Sequence, residues 1–150
     1  TNMNWNDVIK YANNGSPSPD QLIEKSDDEW RKQLTAEQFR VTRESGTEPP
    51  GSGAHCNSHE AGKYNCICCE SPLFDSTIKF ESGTGWPSFA LPIKENAIKY
   101  HKDTSYGMTR VEALCNSCNA HLGHVFPDGP APSGLRYCIN SAAIQLNKTK

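Results

Sequence analysis

The chain has 150 residues, with 15 Lys and Arg against 17 Asp and Glu for a formal net charge of −2, and only 35% of it is hydrophobic. That length suits one domain with a modest core, one in which something besides apolar burial helps to hold the fold. No Lys/Arg block offers a nucleic-acid footprint and no apolar run is long enough to span a bilayer, so neither nucleic acid nor a membrane is an expected partner.

The start Thr1-Asn2-Met3-Asn4-Trp5 has no signal-peptide pattern. It does not begin with Met, which leaves room for an upstream segment; the cytoplasm is the expected compartment. Asn6 is the expected cap of a short amphipathic helix in which Trp5, Val8, Ile9 and Ala12 recur at helical intervals, ended by Gly15-Ser16-Pro17. Ser26-Asp27-Asp28-Glu29 has the form of a capping box, with Trp30 and Leu34 on one side of the helix it opens. Thr35-Ala36-Glu37-Gln38 repeats the signal, with Phe39 as the anchor. The charges here read as a solvated face, without chemistry. From Ser45 to Gly53 the chain is too rich in Pro and Gly for a helix or central strand, and it continues as a loop through Cys56.

Seven cysteines are an odd number for a disulfide framework, and four of them have another spacing. Cys66 with Cys69, and Cys115 with Cys118, form two Cys-x-x-Cys pairs. Four thiolates complete a tetrahedral zinc ion and leave no position for water or substrate, so the implied Zn2+ is structural. A redox Cys-x-x-Cys and a pair of disulfides are the alternatives. A redox motif opens a helix, however, whereas Lys63-Tyr64-Asn65 and Thr109 to Leu114 are strand-like and no helical pattern follows either pair. Cys68 is read as a bystander.

Between the pairs, Glu81-Ser82-Gly83-Thr84-Gly85-Trp86-Pro87-Ser88-Phe89 has glycines that allow a tight turn around Thr84. Pro87 suits the first turn of a short helix, and Trp86 is a candidate pocket wall. Strand-like runs are Thr77 to Phe80, Ala97 to Tyr100, Met108 to Leu114 and Leu135 to Asn140. His121, His124 and Asp128 follow the second pair and can give and take protons near neutral pH. A second metal site on the histidines lacks further ligands, and plain loop histidines are the simpler alternative. In the last run Leu135, Tyr137 and Ile139 alternate with Arg136, Cys138 and Asn140, placing a thiol beside a permanent cation on the non-core face. A nearby cation lowers a thiol pKa, which is how a nucleophilic cysteine is built.

The blocks Gly83 to Phe89, Cys115 to Pro130 and Arg136 to Ser141 resemble the signature segments of type B peptide-methionine sulfoxide reductases, and the similarity runs from about Lys25 to about Gln145. The resemblance implies an N-terminal extension over residues 1–24 and a reductase domain over 25–150. That domain is mainly β, two antiparallel sheets forming an open barrel, with two or three short N-terminal helices outside. It implies thiol-dependent reduction of the R epimer of methionine sulfoxide in peptides, with the free form as a second candidate substrate; a monomer is the expected state. Cys138 matches the catalytic cysteine, with Arg136 and Asn140 beside it. His121, His124 and Asp128 match the polar group around the sulfoxide oxygen, Trp86 the wall for the substrate methyl, and Cys66, Cys69, Cys115 and Cys118 the structural zinc ligands. Many relatives carry a resolving cysteine where this chain has Thr84; others place it upstream, which makes Cys56 the candidate, in a disulfide reopened by thioredoxin. A zinc-braced interaction module and a thiol peroxidase are the competing readings.

Overall fold

A computed structural model describes residues 3–49, 51, 60–104 and 110–148. Three helices come first, α1 (Trp5–Asn14), α2 (Asp27–Gln33) and α3 (Ala36–Arg43). The boxes at Ser26 and Thr35 cap α2 and α3 as their sequences imply. For α1 the cap is Asn4, not Asn6: its side chain accepts from Asp7 N at 3.2 Å while the Asp7 carboxylate accepts from Asn4 N at 3.0 Å. The reciprocal pair satisfies two end groups that Asn6 would leave bare. Gly15 ends the helix at φ 108, donating to the Tyr11 carbonyl.

Among the described residues nine strands follow: β1 (Gly62–Cys66), β2 (Pro72–Asp75), β3 (Lys79–Phe80), β4 (Ser88–Phe89), β5 (Ile98–Asp103), β6 (Arg110–Cys115), β7 (His121–Phe126), β8 (Arg136–Ile139) and β9 (Ile144–Lys148). They form two antiparallel sheets, a small one ordered β2-β1-β9 and a large one ordered β3-β4-β8-β7-β6-β5, which do not close into a barrel. Three strand-like runs are strands at their centres. The fourth departs: Ser76–Ile78 is a 3-10 turn capped by Asp75, which leaves only Lys79 and Phe80 for an edge strand. No helix follows Pro87, because Ser88 and Phe89 pair with Cys138 and Tyr137 of β8.

The core lies between the sheets. Phe74 stacks on Phe89 with ring centroids 4.4 Å apart and meets Tyr137 edge-on at 5.6 Å, while Tyr64 meets Phe89 at 5.2 Å. Such aromatic pairs add about 0.5–1.5 kcal/mol beyond the area they bury. Leu135, Tyr137 and Ile139 are buried as the alternation requires, and Val111, Ala113 and Val125 share their face. Helix α1 lies along β5, where Tyr11 stacks on Tyr100 at 5.7 Å. Helix α3 packs against β7 and the Ser141–Ala143 turn. The opposite face of the large sheet is therefore free to carry chemistry.

Candidate active site and metal centre

The strand registers line up one row across that outer face. His101 opposes Glu112, Glu112 opposes His124, His124 opposes Cys138 and Cys138 opposes Ser88. Directly opposed residues point to the same side, about 4.8 Å apart per strand. The thiol is thus one strand away from one imidazole and two from a carboxylate. His121 and His124 are strand residues rather than loop residues.

His121 reaches this face through an irregularity. Ala113 opposes Gly123, but the next pair is Leu114 with His121, so β7 carries one extra residue, Leu122. In an unbroken ladder the odd-numbered His121 would share the core side with Gly123 and Val125. The bulge re-aims it outward, and its ring meets that of His124 at 5.7 Å, edge to face. Each imidazole then finds a carboxylate: His121 Nδ1 to Glu112 Oε2 at 2.6 Å, and His124 Nε2 to Asp103 Oδ2 at 2.9 Å. Burial pushes Glu112 up, but its bonds to His121 and His101 outweigh this and hold it below the usual carboxylate range. Burial pushes His124 down, against the Asp103 hydrogen bond. A carboxylate only accepts, so a neutral His124 carries its hydrogen on Nε2 and keeps Nδ1 bare, able to take a proton. Gly123 permits the close approach of β7 to β8, since a Cβ there would lie 2.0 Å from the Cys138 carbonyl oxygen.

Cys138 is half-buried and outside the cluster of metal-ligating sulfurs. Its thiol sits above the ordinary value, contrary to the expectation from the neighbouring cation: burial raises it more than Thr84 and Arg136 lower it. Beside that burial, the cation itself is partly engaged elsewhere. Asp128 clamps the guanidinium with two bonds, Nε to Oδ1 at 2.8 Å and Nη2 to Oδ2 at 3.2 Å, and the group lies over the Phe126 ring at 4.4 Å. The Arg136 charge correspondingly holds the Asp128 carboxyl below its usual range. Much of the positive charge is spent before it reaches the sulfur. Asp128 therefore bonds Arg136 in this structure, not the histidines.

The glycine loop places Thr84 Oγ1 4.0 Å from Cys138 Sγ, and a hydroxyl chain through Ser82 at 2.8 Å and Ser88 at 2.7 Å fixes it. Gly83 and Gly85, at φ 73 and 91, make the turn possible. Trp86 is partly exposed and donates from Nε1 to the Glu48 carbonyl at 3.0 Å. Asn140 differs from its neighbours in the alternation. The strand has ended, and the side chain turns inward, accepting from Glu48 N at 3.0 Å and donating to the Leu122 carbonyl at 3.0 Å. Cys56 lies outside the described residues. Glu112 and Asp103 were not evident from sequence as histidine partners. Glu112 shows its polar parity within β6, but the pairing that brings His124 beside it is long-range.

The second centre is built from two similar turns. Cys66 ends β1 and Cys115 ends β6. In each, the residue after the second cysteine (Glu70 at φ 65, Asn119 at φ 63) is left-handed and donates back to the first cysteine's carbonyl, at 2.9 and 2.8 Å. All four sulfurs of Cys66, Cys69, Cys115 and Cys118 lie within 4.8 Å of one another, with two pairs at 3.6 Å. A tetrahedron with zinc–sulfur bonds of about 2.3 Å has edges of roughly 3.8 Å, so the donor set fits that ion in number, chemistry and spacing. Cys68 is buried but outside the set. One charge from the helical region does have a role here: Arg43 of α3 donates to the Cys118 carbonyl at 2.9 Å and approaches its sulfur at 3.6 Å. Because β1 and β6 belong to different sheets, the centre joins them.

Comparison with known proteins finds the SelR domain over residues 34–148. Relatives named peptide methionine sulfoxide reductase MsrB include those of Saccharophagus degradans, 61% identical over 85% of this chain and 95% of the relative, and Pseudomonas putida strain GB-1, 58% identical over 83% and 95%. That of Teredinibacter turnerae is 55% identical over 84% and 93%.

Proposed function

Since the chain belongs to the SelR family, we propose that it reduces the R epimer of peptide-bound methionine sulfoxide, and the free form as well, through Cys138. The supporting observation is the half-buried thiol aligned with His124 and kept apart from the metal-ligating sulfurs. A methionine sulfoxide sulfur is pyramidal and chiral, so each epimer needs its own site. Trp86, fixed through its Nε1, supplies a wall for the methyl group.

The raised thiol shapes the chemistry. Cys138 rests protonated, so nucleophile and proton come from the same S–H. His124 takes the proton on its bare nitrogen and, with His121, passes it to the sulfoxide oxygen as the thiolate sulfur attacks. The attack forms a bond between the Cys138 sulfur and the substrate sulfur; that bond and the S–O bond then break as the hydroxyl passes to Cys138, releasing the thioether and leaving Cys138 as a sulfenic acid. Asp103 and Glu112 hold the two rings in orientation, while Arg136 and Asp128 set the charge beside the sulfur. Asn140 shapes the site through the Glu48 segment.

Cys56 then condenses with the sulfenic acid, releasing water, and thiol exchange with a reduced thioredoxin-like protein reopens the disulfide. Chain reach supports this. Gly51 donates to the Gly85 carbonyl at 2.6 Å, beside Thr84, and five further residues extend to at most about 18 Å. Zn2+ held by Cys66, Cys69, Cys115 and Cys118 would brace the junction of the sheets, taking no part in the reaction. We take residues 1–24 as an extension of a domain that begins near Lys25, acting as a monomer in the cytoplasm, where thioredoxin is kept reduced. Among the described residues no helix is long and apolar enough to cross a membrane.

The test compares separated R and S methionine sulfoxide peptides and hydrogen peroxide as substrates, with chemical dithiol and with thioredoxin. The R epimer alone should be reduced, Cys138→Ser should be inactive with both reductants, and Cys56→Ser should keep single turnover while losing thioredoxin-supported cycling. Consumption of peroxide in preference to sulfoxide, or activity in Cys138→Ser, would overturn the reading.

A further inference from the structure

Glu48 stands out within a Pro- and Gly-rich loop. Its neighbours Thr47 and Pro49 are exposed, yet Glu48 is only 4% exposed. Three of its groups tie separate parts of the site together. The backbone N–H donates to Asn140 Oδ1 at 3.0 Å, the carbonyl accepts from Trp86 Nε1 at 3.0 Å, and carboxylate Oε1 accepts from Ala142 N at 2.9 Å. The other oxygen, Oε2, is buried and makes no hydrogen bond among the described residues. An acidic side chain is rarely buried without such a purpose.

We infer that Glu48 is a positioning residue for the substrate wall: by reaching Ala142 its carboxylate pins the loop backbone that holds Trp86 and Asn140 around Cys138. The segment from Ser45 to Pro49 belongs to no helix or strand, so the side-chain anchor decides where its peptide groups sit. The consequence falls on substrate binding, because Trp86 faces the methyl group while the proton path runs through the histidines on other strands. This inference rests on the reductase reading above.

Reach, not charge, is the property at issue, which three variants separate. Glu48→Gln keeps an acceptor oxygen at the same distance, Glu48→Asp keeps the charge but is one methylene short, and Glu48→Ala removes both. With chemical dithiol as reductant and an R-sulfoxide peptide as substrate, Glu48→Ala and Glu48→Asp should raise KM about tenfold, the scale of one fixed contact. Their kcat should stay within about threefold, and Glu48→Gln should remain near the parent. A second readout needs no turnover. In a Trp5→Phe background, with Trp30 buried, acrylamide quenching reports Trp86 and should increase in the Ala and Asp variants. If the parent reduces sulfoxide but KM and quenching are unchanged in both, or if Glu48→Asp matches the parent while Glu48→Gln does not, the inference fails. If the parent reduces no sulfoxide, the reductase reading fails instead, and quenching still decides whether Glu48 fixes Trp86.

Discussion

Thr84→Cys should move the resolving function into the glycine loop. Thr84 Oγ1 already lies 4.0 Å from Cys138 Sγ, so a sulfur there needs to close roughly 2 Å to reach disulfide bonding distance. The left-handed glycines at 83 and 85 flank the position and give the loop room to move. The new bridge would join residues 54 positions apart. In the chain-entropy account that loop stabilises the oxidised form by up to about 4 kcal/mol, less any strain. For a chain of this size each kcal/mol moves Tm by about 2–4 °C, so the oxidised variant should melt on the order of 10 °C above its reduced form. The assay uses the Cys56→Ser background, one equivalent of R-sulfoxide peptide, peptide mapping by mass spectrometry, melting curves with and without dithiol, and thioredoxin-supported turnover. A bond between positions 84 and 138 with restored cycling is the expected result. An unlinked Cys138 sulfenic acid, captured by a selective nucleophile, together with absent cycling would refute the claim that the glycine loop stands over the reactive sulfur.

Asp128→Asn should release the Arg136 charge toward Cys138 and lower its thiol pKa; in the Cys56→Ser background the midpoint of iodoacetamide alkylation against pH should shift down, and an unmoved midpoint would contradict the clamp. Gly123→Ala should destabilise the protein near the top of the roughly 1–3 kcal/mol range for overpacking, because its Cβ would press on the Cys138 carbonyl oxygen at 2.0 Å; urea unfolding measures this. Metal analysis should return one zinc per chain, and extraction by a strong chelator should lower Tm steeply, since binding to four thiolates can contribute on the order of 10 kcal/mol to folding. Equal melting temperatures for the chelated and untreated protein would remove the metal from the account.

Much of the candidate site was legible because local patterns carried it. The period-two run around Cys138 gave its face, the paired cysteine spacings gave the sulfur cluster, and the boxes at Ser26 and Thr35 gave two helix starts. What escaped depends on partners distant in sequence. Pro87 is followed by a strand because β8 offers it a ladder, and Thr77 and Ile78 are withdrawn into a turn by Asp75. The direction of the Cys138 thiol shift is not legible in the sequence, because the depth of burial and the Asp128 clamp on Arg136 are three-dimensional facts. Glu48 gave no signal, since composition marks its surroundings as loop and only the fold buries it.

The surplus residue in β7 has an evolutionary reading. Shortening that strand by Leu122 would restore an unbroken ladder and leave His121 opposite Leu114, yet it would take away a fully buried side chain and the carbonyl to which Asn140 donates from both its backbone N and its Nδ2. A deletion that most edge strands would absorb is therefore costly in this one, and the hairpin between Cys118 and Phe126 should drift by substitution but keep its surplus residue.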